Sequence, residues 1–134
     1  MSVPDPVLEL TQQWWLRAAE DLAAAKAARR QLTASCFHCQ QAVEKAIKAL
    51  LVLHQVEFEK THDIGKLLAQ LSQTPTPSPV AMTDGLRKLT RFAVETRYPP
   101  TAATLQDAKD ALDKAEMFLV WVQSVLPLDG PSRP

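Results

Sequence analysis

Apolar positions recur at helical spacing through almost the whole chain, and no stretch sustains the period-two alternation of a half-buried strand. The longest unbroken pattern runs from Cys36 to Leu53, which contains neither Gly nor Pro. Cys36, Cys39, Val43, Ala46 with Ile47, Leu50 and Leu53 fall on one stripe, and the spacing predicts a helix over about 34–56. Thr33 and Ser35 can both cap its start. A polar row, Gln41, Glu44, Lys45 and Lys48, lies on another face of the same helix, within about two turns or roughly 11 Å of axis.

The flanking segments follow the same period. An Ala-rich stretch from about Leu8 to Leu32 has strong helix composition, with Leu8, Trp15 beside Thr11, Ala18, Leu22, Ala25 and Arg29 along one side. Trp14 and Trp15 are adjacent and cannot both face the core, which places one of them at a helix–helix or subunit contact. Asp63 or Thr61 can cap a short helix whose Ile64, Leu67, Leu68 and Leu71 stand at i, i+3, i+4 and i+7. The run Thr74–Pro79 alternates Pro with Thr or Ser and is expected to be an extended connector.

Another helix is expected from Val80 to about Thr96, packing through Leu86, Leu89 or Thr90, Ala93 and Val94. Pro99 and Pro100 stop it, and Pro99 disfavours helical geometry at Tyr98. Thr104 with Asp107 resembles a capping box opening a last helix to Val125, with Leu105, Ala108, Leu112, Ala115, Leu119 and Val122 inward and Trp121 at the edge. Pro127 ends that helix. The expected fold is all-α, an up-and-down bundle of four main helices and one short one. It forms a single domain over 8–126, with flexible tails at 1–7 and 127–134.

Composition narrows the function classes. The 134 residues carry 15 basic and 15 acidic side chains, which argues against a nonspecific nucleic-acid binder, since such proteins carry a basic excess. No apolar run reaches the roughly 18 residues of a membrane span, and Met1–Pro6 lacks the basic start and apolar core of a signal peptide. A cytoplasmic protein is expected. The two cysteines, Cys36 and Cys39, are spaced C-x-x-C, but no strand precedes them and both lie on the buried stripe. His38 points about 100° away from either, so the pair reads as core packing, with no metal site and no cofactor expected.

The run from Cys36 to Leu51 resembles the second-helix signature of HEPN domains, the nucleotide-binding domains of higher eukaryotes and prokaryotes. Thr61-His62-Asp63-Ile64 and Arg97-Tyr98-Pro99 are further features similar to that family, and the resemblance spans about residues 12–124. It implies a helical bundle that forms homodimers, associates with nucleotide or RNA and often partners a separate minimal nucleotidyltransferase. Many members are metal-independent endoribonucleases in which an Arg is followed after four to six residues by His. Here those slots hold Thr96, Arg97 and Tyr98 after Arg91, and Ala102, Ala103 and Thr104 after Arg97. Tyr titrates near 10 and is a poor general base at neutral pH.

The expectation is therefore a non-catalytic homodimer that binds a nucleotide such as ATP or GTP, or a nucleotidyltransferase partner. RNA is the less favoured ligand. Candidate binding residues are Gln41, Glu44, Lys45, Lys48, Arg97 and Tyr98. In this reading Lys45 or Lys48 meets phosphate, Arg97 clamps it bidentately and Tyr98 stacks on a base. The polar row reads equally as a solvated face with a Glu44–Lys48 pair. Arg97 and Tyr98 read also as ordinary helix-end residues. A divergent endoribonuclease of the toxin–antitoxin type, using Arg91, Arg97, Tyr98 or His62, is the second reading, although His62 beside Asp63 also suits a simple capping turn. A plain oligomerisation module is the third.

Overall fold

The computed structural model describes residues 3–93 and 102–128, and among them every regular element is helical. Five α-helices follow in order: α1 (Asp5–Ala27), α2 (Leu32–Leu53), α3 (Ile64–Leu71), α4 (Val80–Arg87) and α5 (Leu105–Val125). A 3₁₀ segment, Lys88–Ala93, continues α4.

The centre of the bundle is α2. Its whole expected stripe is buried, from Cys36 and Cys39 through Val43, Ala46, Ile47 and Leu50 to Leu53. Ala42, Ala49 and Leu51 are buried as well, so α2 is covered on most sides. The neighbours α1, α3, α5 and the 3₁₀ segment all pack against it. Opposite it, α1 buries Thr11, Trp15, Ala18 and Ala25, with Leu8 and Leu22 half-buried and Arg29 exposed. Small side chains at 18 and 25 let the two backbones approach closely.

Several boundaries differ from expectation for identifiable reasons. Helix α1 begins at Asp5, because a Pro in the first turn lacks only an N–H that would have no intrahelical partner. It ends at Ala27, where the Ser35 hydroxyl donates to the Ala25 carbonyl at 2.8 Å and draws the chain into α2. Thr33 does not cap α2 either; its hydroxyl accepts from the Ala103 N–H at 3.2 Å, tying the start of α2 to the approach of α5. Helix α2 stops at Leu53 in a C-terminal clasp: the N–H groups of Gln55 and Val56 donate to the Val52 and Leu51 carbonyls, each at 2.9 Å. Gln55 takes the left-handed conformation this requires, with φ of 55°.

The expected fourth helix shortens into 3₁₀ geometry. Leu86, Leu89 and Phe92 are buried at spacings of three, the repeat that 3₁₀ helix aligns and α-helix does not. Val94 and the rest of that expected helix lie outside the described residues. Helix α3 is capped as expected, the Asp63 carboxylate accepting from the Lys66 N–H at 3.2 Å. Helix α5 opens with the anticipated capping box between Thr104 and Asp107. Its inner stripe is Ala108, Ala111, Ala115, Phe118, Leu119 and Val122. Leu105 is exposed and Leu112 only half-buried, because both stand about 70–90° round the helix from that stripe. Beyond α5, Leu126 and Leu128 return to the core, so packing reaches the second residue of the expected tail.

Candidate functional site

The centre of the polar row of α2 is inside the protein, while Gln41 and Lys45 stay at its edge. Gln40, Glu44 and Lys48 succeed one another at i, i+4 and i+8 and all three are buried. The Lys48 ammonium donates to Glu44 Oε2 at 2.9 Å, Gln40 Nε2 donates to Glu44 Oε1 at 3.1 Å and to the His62 carbonyl at 3.0 Å, and His62 Nδ1 donates to Glu44 Oε1 at 2.8 Å. Gln41 joins from the rim, its Nε2 donating to Gln40 Oε1 at 2.6 Å. A buried carboxylate is tolerable only when paired and hydrogen-bonded, and Glu44 has three donors.

His62 is the member most open to water, its side chain 60% exposed. The carboxylate holds Nδ1–H and leaves Nε2 outward, the arrangement in which a second group fixes the tautomer of an imidazole. The adjacent Asp63 serves α3 as its cap and is not the partner of His62.

Two aromatic rings close over Lys48. Its Nζ lies 5.4 Å from the Trp14 ring centre and 5.5 Å from that of Phe58, and the two rings meet edge to face at 6.0 Å. Trp14 therefore stands half-buried at the α1–α2 seam while Trp15 fills the core at 1% exposure. One turn away, Lys45 is ion-paired with Asp21 of α1, whose other oxygen takes His38 Nδ1 at 2.9 Å. Lys45 and Lys48 thus both point toward α1, each bound to a carboxylate.

Arg91 lies on the 3₁₀ segment, away from this cluster. It pairs with Asp107 at 2.9 Å and lies over the Phe92 ring at 4.6 Å. Thr104 hydrogen bonds and the Arg91 charge hold the Asp107 carboxyl below its ordinary value of 3.8. Arg97, Tyr98 and Pro99 lie outside the described residues. Both cysteines are buried free thiols. Burial pushes Cys36 up to about 11, with Asp107 adding to the rise, and Cys39 up to about 12. Among the described residues no three His, Cys, Asp or Glu side chains gather as metal ligands would.

Of the sequence candidates, the structure joins Gln41, Glu44, Lys48 and His62 in one network and puts Lys45 in a neighbouring one. Gln40 was missed, although its i−4 spacing from Glu44 was visible. Asp21 and Phe58 had no local signal, because they come from segments distant in sequence; of the adjacent Trp pair, Trp14 is the one at the helix–helix contact.

A family model of the HEPN domain matches residues 11–125. No curated protein sequence matches the chain. Among solved structures, TT1696 from Thermus thermophilus is similar at 26% identity and a TM-score of 0.74, covering 87% of this chain and 98% of that one. A second, ST0689, described as an archaeal HEPN homologue, is similar at 26% identity and a TM-score of 0.68, with coverages of 85% and 95%. No described helix is long and apolar enough to cross a membrane.

Proposed function

The chain belongs to the HEPN domain family, and from that premise we propose that it is a non-catalytic, homodimeric binding domain whose ligand is a nucleotide, free or carried by a nucleotidyltransferase partner. The observation that carries this reading is the state of the charged groups. Glu44 and Lys48 neutralise each other in the interior, and Arg91 is held by Asp107. Neither Arg91 nor Arg97 has a His in the following window. Acid–base chemistry on RNA needs a proton acceptor and donor aimed at the scissile phosphate, and these residues are arranged for cohesion instead. Lys45, partly exposed and paired with Asp21 through one N–H, keeps donors that suit recognition of phosphate.

Calorimetric titration of ATP and GTP into the purified protein, with sedimentation to fix the oligomer, tests this. Saturable binding near one nucleotide per chain in a dimer is expected. Absence of heat for both nucleotides removes the ligand half, and a monomer removes the homodimer.

The second reading, a divergent metal-independent endoribonuclease, is favoured by one observation: His62 is exposed and oriented by a buried carboxylate. RNA cleavage abolished by His62→Ala would replace the binding reading with this one. No cleavage by the wild type retires it.

A further inference from the structure

The geometry points to a nucleotide site in the groove between α1 and α2, built from residues outside the buried Glu44 network. This rests on the nucleotide-binding reading above and gives it a location. The groove has a volume of about 350 Å³ and is lined by Leu10, Gln13, Trp14 and Arg17 of α1 and by Lys45 of α2. The four α1 residues stand at i, i+3, i+4 and i+7, so a single helix face presents an apolar side chain, an amide, an indole and a guanidinium in order. That volume is within the range of small-ligand sites.

The chemistry is that of an aromatic base joined to an anion. Trp14 is held from behind by Phe58 and by the Lys48 ammonium, so its position is fixed before any ligand arrives. Trp14 also lines the groove, and its indole supplies the aromatic surface for stacking a base. Arg17 is exposed and makes no ion pair or hydrogen bond with any described residue. Lys45 gives one of its three N–H donors to Asp21 and keeps the others for a second acceptor. Arg17 and Lys45 line the same groove as the indole, and with Lys45 already paired to Asp21 the exposed Arg17 is the main cation offered to a phosphate. Gln13 at the groove wall offers donor and acceptor to the base edge or ribose.

The test titrates AMP and ATP, with ribose 5-phosphate as the base-free control, into wild type, Trp14→Phe, Trp14→Ala and Arg17→Glu, reading both heat and tryptophan fluorescence. Wild type should bind AMP and ATP with quenching, and ribose 5-phosphate at least tenfold more weakly. Trp14→Phe should keep affinity within about threefold while losing the quench, which a folding defect would not do. Trp14→Ala and Arg17→Glu should each weaken AMP at least tenfold; Arg17 is exposed, so its variant folds. Wild-type binding that all three variants leave unchanged, quench included, overturns this location and leaves nucleotide binding standing. A wild type that binds neither nucleotide overturns both.

Discussion

His62 Nδ1 lies 2.8 Å from Glu44 Oε1, and the carboxylate's other oxygen takes the Lys48 ammonium at 2.9 Å. One buried anion is thus shared between an interior cation and an imidazole at the surface. The pair Glu44–Lys48, with side chains 4% and 8% exposed, is a case in which losing one partner costs more than losing both. Glu44→Ala or Lys48→Ala should each destabilise by about 3–5 kcal/mol, the penalty of an uncompensated buried charge. The double variant Glu44→Leu, Lys48→Met should recover most of that loss. Urea denaturation of all three checks it. Additive losses in the double variant would show that the two charges are not coupled.

Burial of that pair could not be read from the sequence. The stripe from Cys36 to Leu53 was legible because each position is apolar at helical spacing, and all of it is buried. Glu44 and Lys48 share the helix and obey the same spacing rule as any solvated i,i+4 pair. What distinguishes them is cover from Trp14, thirty or more residues upstream, and Phe58 beyond the end of α2. The 3₁₀ segment was obscured likewise: Leu86 and Leu89 fit an α-helix, and only the burial of Phe92 three residues on reveals the tighter repeat. Capping was legible at α3 and α5, where Asp63 and Thr104 act on backbone groups within three residues, but not at α2, where Ser35 and Thr33 bond to distant backbone groups instead.

The C-terminal clasp of α2 predicts an easy stabilisation. Gln55 sits at φ 55°, where a side chain is disfavoured and Gly is at ease. It is exposed, so nothing is lost from the core. Gln55→Gly should raise stability by about 1 kcal/mol in urea or thermal unfolding. Gln55→Val should lower it, because a β-branched residue is a poorer fit still.

Cys36 and Cys39 should be unreactive in the native protein. With thiols pushed up to about 11 and 12, the thiolate fraction at pH 8 is lower than that of an ordinary cysteine by roughly two orders of magnitude or more. Labelling with iodoacetamide should therefore proceed only as fast as the bundle opens, and in denaturant both should react at once. Fast native labelling of either would contradict their place in the core. Cys36→Ala and Cys39→Ala should each cost stability through lost packing, with no change in any ligand binding.

Asp107 sets an acid-side limit on α5. Its carboxyl is held below the ordinary 3.8 first by the backbone hydrogen bond at Thr104 and then, more weakly, by Arg91. A carboxyl depressed in the folded state binds fewer protons there than when unfolded. Its stabilising contribution is therefore complete above about pH 4 to 5, and it disappears as pH falls through the depressed folded value. Asp107→Ala should be less stable than wild type at pH 7, and the gap should close on acidification below the ordinary value. Thr104→Ala, which removes the other half of the capping box, should cost about 1 kcal/mol at neutral pH. Combined with Asp107→Ala it should cost less than the sum, because the two side chains fix the same first turn, each accepting from the other residue's backbone N–H. Thermal unfolding of the four proteins between pH 3 and 7 measures this directly; a gap that stays constant across that range would mean the Asp107 charge contributes nothing to the helix start.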